Sequence, residues 1–444
     1  MLGFKTIGNA TLVVFDGEPL LATDPWLGED DHAYNGSWNL SHTIPTAERN
    51  EIHACRFVWF SHGHPDHLNP LSVKHFHSRT ILLPDHRGGR IRFSLEADGF
   101  NVKVLPDRKW VALSPRVRVL CLPDLIQDAV LLVEIGNDLV IDMNDSSARG
   151  HHGFIRGISS GYERVFLLRL SGYGDADMIH LFYPDGSSVK PHRRQPGSSL
   201  SRWAARVGAN HVIPFSSFHR YQREDSVWAN EHTTPLFAYG EGFDTSAAEL
   251  LTPFIEFDCA SGSSRAIDPQ ERRESPLSPS HFGDSWSDEL EPSDFSLLDA
   301  YFQRKALLHK WLNFLEFRVG DTVHRVNLRG PKHRGIGFHV PAYSLMQAIR
   351  GEFFDDLLIG NYMKTTLYEV DSLYEPNFNY AVAKYGDNGR AESMAEVRRY
   401  LRDYRSRAGF EFIRNELRVA TRIHLKAPAR RLREAARRLL APLH

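Results

Sequence analysis

The sequence predicts an α/β fold in which two sheets pack face to face under a cover of helices, with a smaller α+β part appended. Three observations lead there. Over the first 260 residues, short apolar runs alternate with loops at a density that suits paired sheets. Composition then shifts over 261–293, where Ser, Pro, Asp and Glu displace large aliphatics. Beyond that, 294–317 carries apolar residues at helical spacing and opens a second, smaller set of elements.

Residues 4–15 are β-rich, Asp16-Gly17 is a hairpin signal and 19–22 resumes the strand. Further apolar runs fall at 57–60, 80–83, 117–122, 130–135, 139–141, 165–168 and 211–215, and Asn137-Asp138 marks a second hairpin. The stretch 261–293 reads as a linker or long loop. In 294–317, Leu297, Leu298, Tyr301, Leu308, Trp311, Leu312 and Leu315 fall on one helical face, with Ser293 or Asp294 as N-cap. A strand at 322–328, a helix near 343–350, a strand near 364–369 and a helix around 393–406 follow. The domain reading is therefore 1–260, a linker 261–293, an α+β accessory domain 294–413 and a basic helix or tail 414–444.

The composition is that of an ordinary globular chain: 42% hydrophobic, 24% charged, net charge −2 over 444 residues. Near-neutral charge gives no reason to expect nucleic acid as a partner. Cys55, Cys121 and Cys259 lack metal-ligand or redox spacing and fit buried thiols in a reducing compartment. The N-terminus lacks a signal-peptide pattern, and no window approaches the roughly 18 apolar residues of a membrane span. The expected location is cytoplasmic. In the tail, Arg414, Arg418, Arg422, Lys426, Arg430, Arg431, Arg433, Arg437 and Arg438 face only Glu416 and Glu434. Such a helix could meet an anionic membrane, but a solvated helix on the protein's own surface or a frayed end is the favoured reading.

The chemistry concentrates after the run 57–60, in Ser61-His62-Gly63-His64-Pro65-Asp66-His67. Three histidines and an aspartate within six residues, at a strand end, offer the imidazole and carboxylate donors that borderline divalent ions favour. His62 and His64 can hold one metal, and Asp66 and His67, a tight turn later, a second. Gly63 and Pro65 supply the sharp, stiff backbone. The alternative, a polar turn whose histidines only hydrogen-bond, suits a lone histidine better than an HxHxDH cluster.

This motif resembles the metallo-β-lactamase superfamily, and so do Gly8-Asn9-Ala10-Thr11 and Thr23-Asp24-Pro25-Trp26-Leu27. The resemblance implies an αββα sandwich and a dinuclear site, with Asp24 supporting the metal loop from behind; a capping role for Asp24 is the alternative. It implies a bridging aspartate, for which Asp145 in Leu139–Asp145 stands first and Asp142 competes. It implies a last histidine, met by His219, although another alignment reaches Arg223. A further histidine is expected before 130–135, where the chain has none; Asp124 falls there, with Asp128 next. A carboxylate in place of imidazole shifts preference from zinc toward iron or manganese.

The first 240 residues look closest to the branch that includes the N-acyl phosphatidylethanolamine phospholipase D and the fold's module in CMP-sialic acid hydroxylase. Rieske ligand pairs are absent from the sequence. The resemblance thus implies two divalent metals, zinc or iron with manganese a third option, and a metal-dependent hydrolase. In it a bridging hydroxide attacks a phosphoester or acyl centre and Asp66 acts as catalytic base. The alternative is a di-iron, O2-dependent oxygenase with an external electron donor; a metal that only holds the fold together is third. The expected substrate is a small molecule, anionic or sugar-like, for which Arg169, Tyr173, Trp203, Arg220 and Tyr221 could line a pocket. A homodimer through the C-terminal part is a further expectation.

Overall fold

The computed structural model describes residues 1–170, 178–190, 195–374 and 377–414. Tyr173 and the basic tail beyond Arg414 lie outside the described residues. Two mixed sheets form the body. The first has eight strands in the order Ser263–Ala266, Ile255–Asp258, Leu2–Ile7, Thr11–Asp16, Glu18–Thr23, Phe57–Trp59, Thr80–Pro84 and Asn101–Leu105. The second has seven, in the order Glu249–Leu250, His211–Phe215, Val165–Leu170, Asp138–Asn144, Ala129–Ile135, Val117–Pro123 and Trp110–Ala112.

Alternation along single strands shows how the layers stack. Leu12 and Val14 turn inward and meet Leu131, Val133 and Ile135 of the second sheet in one buried cluster. Their neighbours Val13 and Phe15 face outward, toward Ile52 of the helix Thr46–Ala54. On the far side, Val130 and Leu132 pack on Ile155 of the helix His152–Ser159 and on Leu200 and Ala204 of Pro196–Val207. The order is helix, sheet, sheet, helix, as the sequence predicts. Strands apolar on both faces supply it, each fully buried Leu, Ile or Val contributing about 1.5–3 kcal/mol.

Three elements differ from the sequence reading. The β-rich run 4–15 is two antiparallel strands, broken where Gly8 takes φ +66°. The second hairpin turns one residue earlier than Asn137-Asp138. Its loop is Gly136-Asn137, with Gly136 at φ +60°, and Asp138 begins the returning strand. The Asp138 carboxylate is held there by the Arg164 guanidinium at 2.7 and 2.8 Å. The helix expected over 294–317 stops at Gln303; Leu308–Trp311 is one turn and Phe314–Val319 a strand. Leu308 is buried from the helical turn and Leu315 from the strand, so apolar spacing could not separate the two.

A third sheet of five strands carries the C-terminal part, in the order Leu181–Phe182, Lys364–Tyr368, Gly335–His339, Phe314–Val319 and Thr322–Asn327. Its first strand comes from the N-terminal 260 residues, and Ser263–Ala266 from the stretch 261–293 edges the first sheet. One apolar cluster runs from Trp26 and Ile52 to Phe302, Phe338, Leu357 and Tyr400. This shared core brings the short helix Asp355–Ile359 and the π-helix Tyr380–Asn388 against the loop that follows Phe57–Trp59. Among the described residues, no helix is long and apolar enough to cross a membrane.

Candidate metal centre

The HxHxDH loop leaves the end of Phe57–Trp59 and is tied down by Asp24. That carboxylate accepts from the Ser61 backbone N–H at 2.8 Å, Ser61 Oγ at 2.6 Å, His67 Nδ1 at 2.9 Å and Asn144 Nδ2 at 2.6 Å. Asp24 itself is fully buried at φ 40°, a position the surrounding hydrogen bonds enforce.

These partners fix the protons on the histidines. Ser61 gives its hydroxyl proton to Asp24, so at 2.9 Å it accepts from His62 Nδ1, and His62 Nε2 is left bare. His64 Nε2 donates to the Asp355 carboxylate at 3.0 Å, which leaves His64 Nδ1 bare. The two bare nitrogens face each other at 2.9 Å. Two lone pairs at that distance repel unless a proton or a cation lies between them. Among the described residues, His62, His64 and Asp145 present ligand atoms within 4.8 Å of one another, so the carboxylate that joins them is Asp145, not Asp142. Burial and then the neighbouring His67, His64 and Lys384 hold His62 well below the usual imidazole range. That favours a cation other than a proton, and the donor set fits a divalent metal.

His67 donates through Nδ1 to Asp24, so its Nε2 faces Asp66 at 3.4 Å, Asp145 at 3.6 Å and Ser216 Oγ at 3.2 Å. Burial opposes the imidazolium, but the Asp66, Asp145 and Asp24 carboxylates outweigh it and raise His67 well above its ordinary pKa. A second cation at this point would replace that proton. Asp66 is buried and accepts from the Tyr34 hydroxyl and from Asn9 Nδ2 at 3.0 Å. Asn9 also accepts from the Phe218 N–H at 2.9 Å and so joins two loops at the site.

The other expected ligands are placed less simply. Asp124 uses its oxygens inside the structure, accepting from the Ile126 N–H at 2.9 Å and Ser146 Oγ at 2.8 Å. Asp128 is buried with Oδ1 lacking a hydrogen bond among the described residues, and burial pushes its carboxyl up to about 8 despite Lys384 nearby. Asp142 is buried away from the group of three, and desolvation raises it well above the carboxylate range. His219 lies flat on Trp38, ring centres 3.4 Å apart, with neither nitrogen hydrogen-bonded among the described residues, and burial lowers it to about 3. Ser216 Oγ stands 3.2 Å from His67 Nε2 and donates to Asp145 at 2.6 Å. Arg223 is structural: it pairs with Asp225 at 2.9 Å and Asp284 at 2.7 Å and lies over Tyr362.

Of the pocket residues expected from sequence, Arg169 lies over Trp203 at 4.0 Å and donates to the Ser146 carbonyl. Arg220 and Tyr221 line a separate small cavity of about 140 Å³. Sequence reading passed over Tyr34, Ser216, Asp355 and Lys384. Lys384 is buried on the π-helix with its ammonium 3.4 Å from His64 Nε2, 3.8 Å from Asp128 and 4.0 Å from Asp355. The π-helix, a form that recurs at functional sites, is the structural signal that points to it.

No protein-family model matches the chain. A 179-residue stretch is 26% identical to cytidine monophosphate-N-acetylneuraminic acid hydroxylase of Danio rerio, covering 36% of this chain and 30% of that protein. The chain therefore spans under a third of the length of that relative. Among solved structures, Igni18, a metallo hydrolase of Ignicoccus hospitalis, is 12% identical with a TM-score of 0.37, covering 60% of this chain and 97% of its own. CmlA, a diiron β-hydroxylase of Streptomyces venezuelae, is 14% identical with a TM-score of 0.36, covering 60% of this chain and 54% of its own. The four layers are consistent with the metallo-β-lactamase αββα sandwich, here with a third sheet and a C-terminal part packed onto the loop His62–His67.

Proposed function

We propose that the chain is a metal-dependent hydrolase with a dinuclear centre, acting on a phosphoester- or acyl-type small molecule. The observation that carries this is the pair of bare nitrogens, His62 Nε2 and His64 Nδ1, converging with Asp145. His62, His64 and Asp145 would hold one cation, and His67, Asp66 and Asp145 would hold the other; Asp128 Oδ1 stands 3.8 Å from Lys384, which neighbours His64. Bound zinc, iron or manganese supplies an acidified water and neutralises charge that builds on a substrate oxygen. Asp66, fixed by Tyr34 and Asn9, is placed to take a proton. Lys384 brings a buried positive charge that offsets Asp128 and Asp355. A cavity of about 570 Å³ flanks the metal loop at Gly63 and Pro65; Leu68, Ile91 and Phe353 offer apolar walls and Arg90 a cation for an anionic or sugar-like substrate. We read 1–260 as the catalytic domain and 294–413 as an accessory domain that completes the site, in a cytoplasmic protein.

A second reading is favoured by one observation, the buried free carboxylate oxygen of Asp128 with Asp124 where a histidine is expected. Carboxylate-rich sites suit iron, and a di-iron oxygenase fed by an external electron donor would use the same ligands. Reconstitution with zinc, manganese or iron(II), followed by phosphodiester, ester and amide screens, separates the two. Hydrolysis that appears with zinc or manganese and disappears in Asp145→Ala supports the hydrolase. Reductant-dependent O2 uptake by the iron form, with no hydrolysis in any form, would replace it with the oxygenase.

A further inference from the structure

The C-terminal sheet carries a cationic row with no evident structural purpose. Arg318 stands opposite His339 in the parallel pairing of their strands, and His339 stands opposite Lys364 in the antiparallel pairing. Three basic side chains therefore lie side by side across three neighbouring strands. Like charges so placed destabilise a sheet, and no carboxylate pairs with Arg318, His339 or Lys364 among the described residues. Burial and the charges of Lys364 and Arg318 hold His339 below its ordinary pKa. Arg318 and Lys364 are left as the two standing charges of the row.

This row lines a cleft of about 870 Å³, toward the upper end of small-ligand sites. Two indoles also line it. Trp286 sets its ring against His339 at 4.9 Å and 68°, and Trp228 packs on His180 at 4.7 Å. The acid beside Trp286, Asp225, is already engaged by Arg223 and by the Trp286 N–H at 2.9 Å. Two more carboxylates, Glu224 and Asp321, line the cleft and are exposed to solvent. None of the candidate metal ligands lines it.

We propose that this cleft is a second binding site, for an anion that carries a planar ring, of the size of a nucleoside monophosphate. Guanidinium and ammonium groups take the anion as charge-assisted hydrogen-bond donors, and indole faces take the ring by stacking. The exposure of the two cations makes binding dependent on ionic strength.

Titration of the full-length, metal-loaded chain with adenosine monophosphate, adenosine and inorganic phosphate, by calorimetry and tryptophan fluorescence, tests this. The monophosphate binds at least tenfold more tightly than either part alone. The double variant R318Q/K364Q weakens it at least tenfold and leaves adenosine unchanged, whereas W286L weakens both. Arg318 and Lys364 are exposed, so the double variant does not lower the melting temperature; K364Q alone repeats the test with a smaller loss. No binding of the monophosphate at millimolar concentration overturns the proposal. So does binding indifferent to R318Q/K364Q, or binding abolished by Asp145→Ala, which would place it at the metal centre.

Discussion

Asp355 accepts the Nε2–H of His64 at 3.0 Å across 291 residues of sequence. It thereby turns the bare Nδ1 toward His62 and lets the C-terminal part decide how a candidate ligand of the HxHxDH loop is presented. The His64 hydrogen bond and the nearby Lys384 hold the Asp355 carboxyl down to about 2 against the effect of burial. Carboxylate–histidine pairs of this kind orient the ring and raise its basicity.

Asp355→Ala should therefore lower metal affinity by about 10- to 100-fold, the usual cost of losing such a partner. Asp355→Asn, whose carbonyl can still accept the proton, should lose much less. Competition with a chromophoric chelator measures both, and equal affinities in wild type and Asp355→Ala would remove the positioning role.

Lys384 is the one cation within 4.0 Å of Asp128 and Asp355 in the described structure. Removing one partner of a buried ionic cluster costs about 3–5 kcal/mol. Lys384→Met should thus destabilise the metal-free protein by that order and gain more from added metal than wild type does, because the metal then compensates the carboxylates. Denaturant titrations with and without metal give the comparison. An equal gain in the two proteins would show that Lys384 and the metal do not share the same carboxylates.

Asp128 and Asp124 should separate by what their loss affects. Asp128, with a free buried oxygen, should lower metal content when changed to Asn while leaving the melting temperature nearly unchanged. Asp124, which closes a turn and accepts from Ser146, should cost stability first when changed to Ala, by about 1–3 kcal/mol. Elemental analysis beside thermal melts distinguishes them.

Acid should unfold the protein partly through two histidines outside the HxHxDH loop. Burial and the Arg108 guanidinium lower His151 to about 3, and Arg108 donates to its Nδ1 at 3.0 Å, so the ring must stay neutral. Burial and then Lys364 lower His180 to about 4. Both are bases whose pKa falls on folding. Their stabilisation is complete above about pH 6.5 and is lost as pH falls toward 4 and 3, on the order of 3 kcal/mol each. Asp387 acts oppositely. Burial raises it to about 6 although Lys305 and Tyr301 pull it down, so its contribution grows as pH drops through 6. His151→Gln and His180→Asn should flatten the acid limb of stability against pH; an unchanged limb would assign it to the carboxylates at the metal loop.

The legible part of the site is the part that is local in sequence. Six residues from His62 to His67 carry four donors because a strand end and a tight turn bring near neighbours together. Asp24 and Asp145 follow from the same resemblance, and the structure places both against that loop. Asp355 and Lys384 left no trace in the sequence, since a lone aspartate on a short helix and a lone lysine carry no spacing to read. Ser216 was hidden because a hydroxyl is not an expected donor, while His219, the residue of the right type, stacks on Trp38. In the fold, alternation along 130–135 was readable, whereas 294–317 was not, because Leu308 and Leu315 bury equally well from a helix or a strand.

The most direct measurement is elemental analysis of the full chain, purified and equilibrated with zinc, manganese and iron(II), for wild type and His64→Ala. The account predicts two divalent metals per wild-type chain and at most one in His64→Ala. Wild-type protein that binds no metal in stoichiometric amount, with its fold intact by circular dichroism, would contradict it.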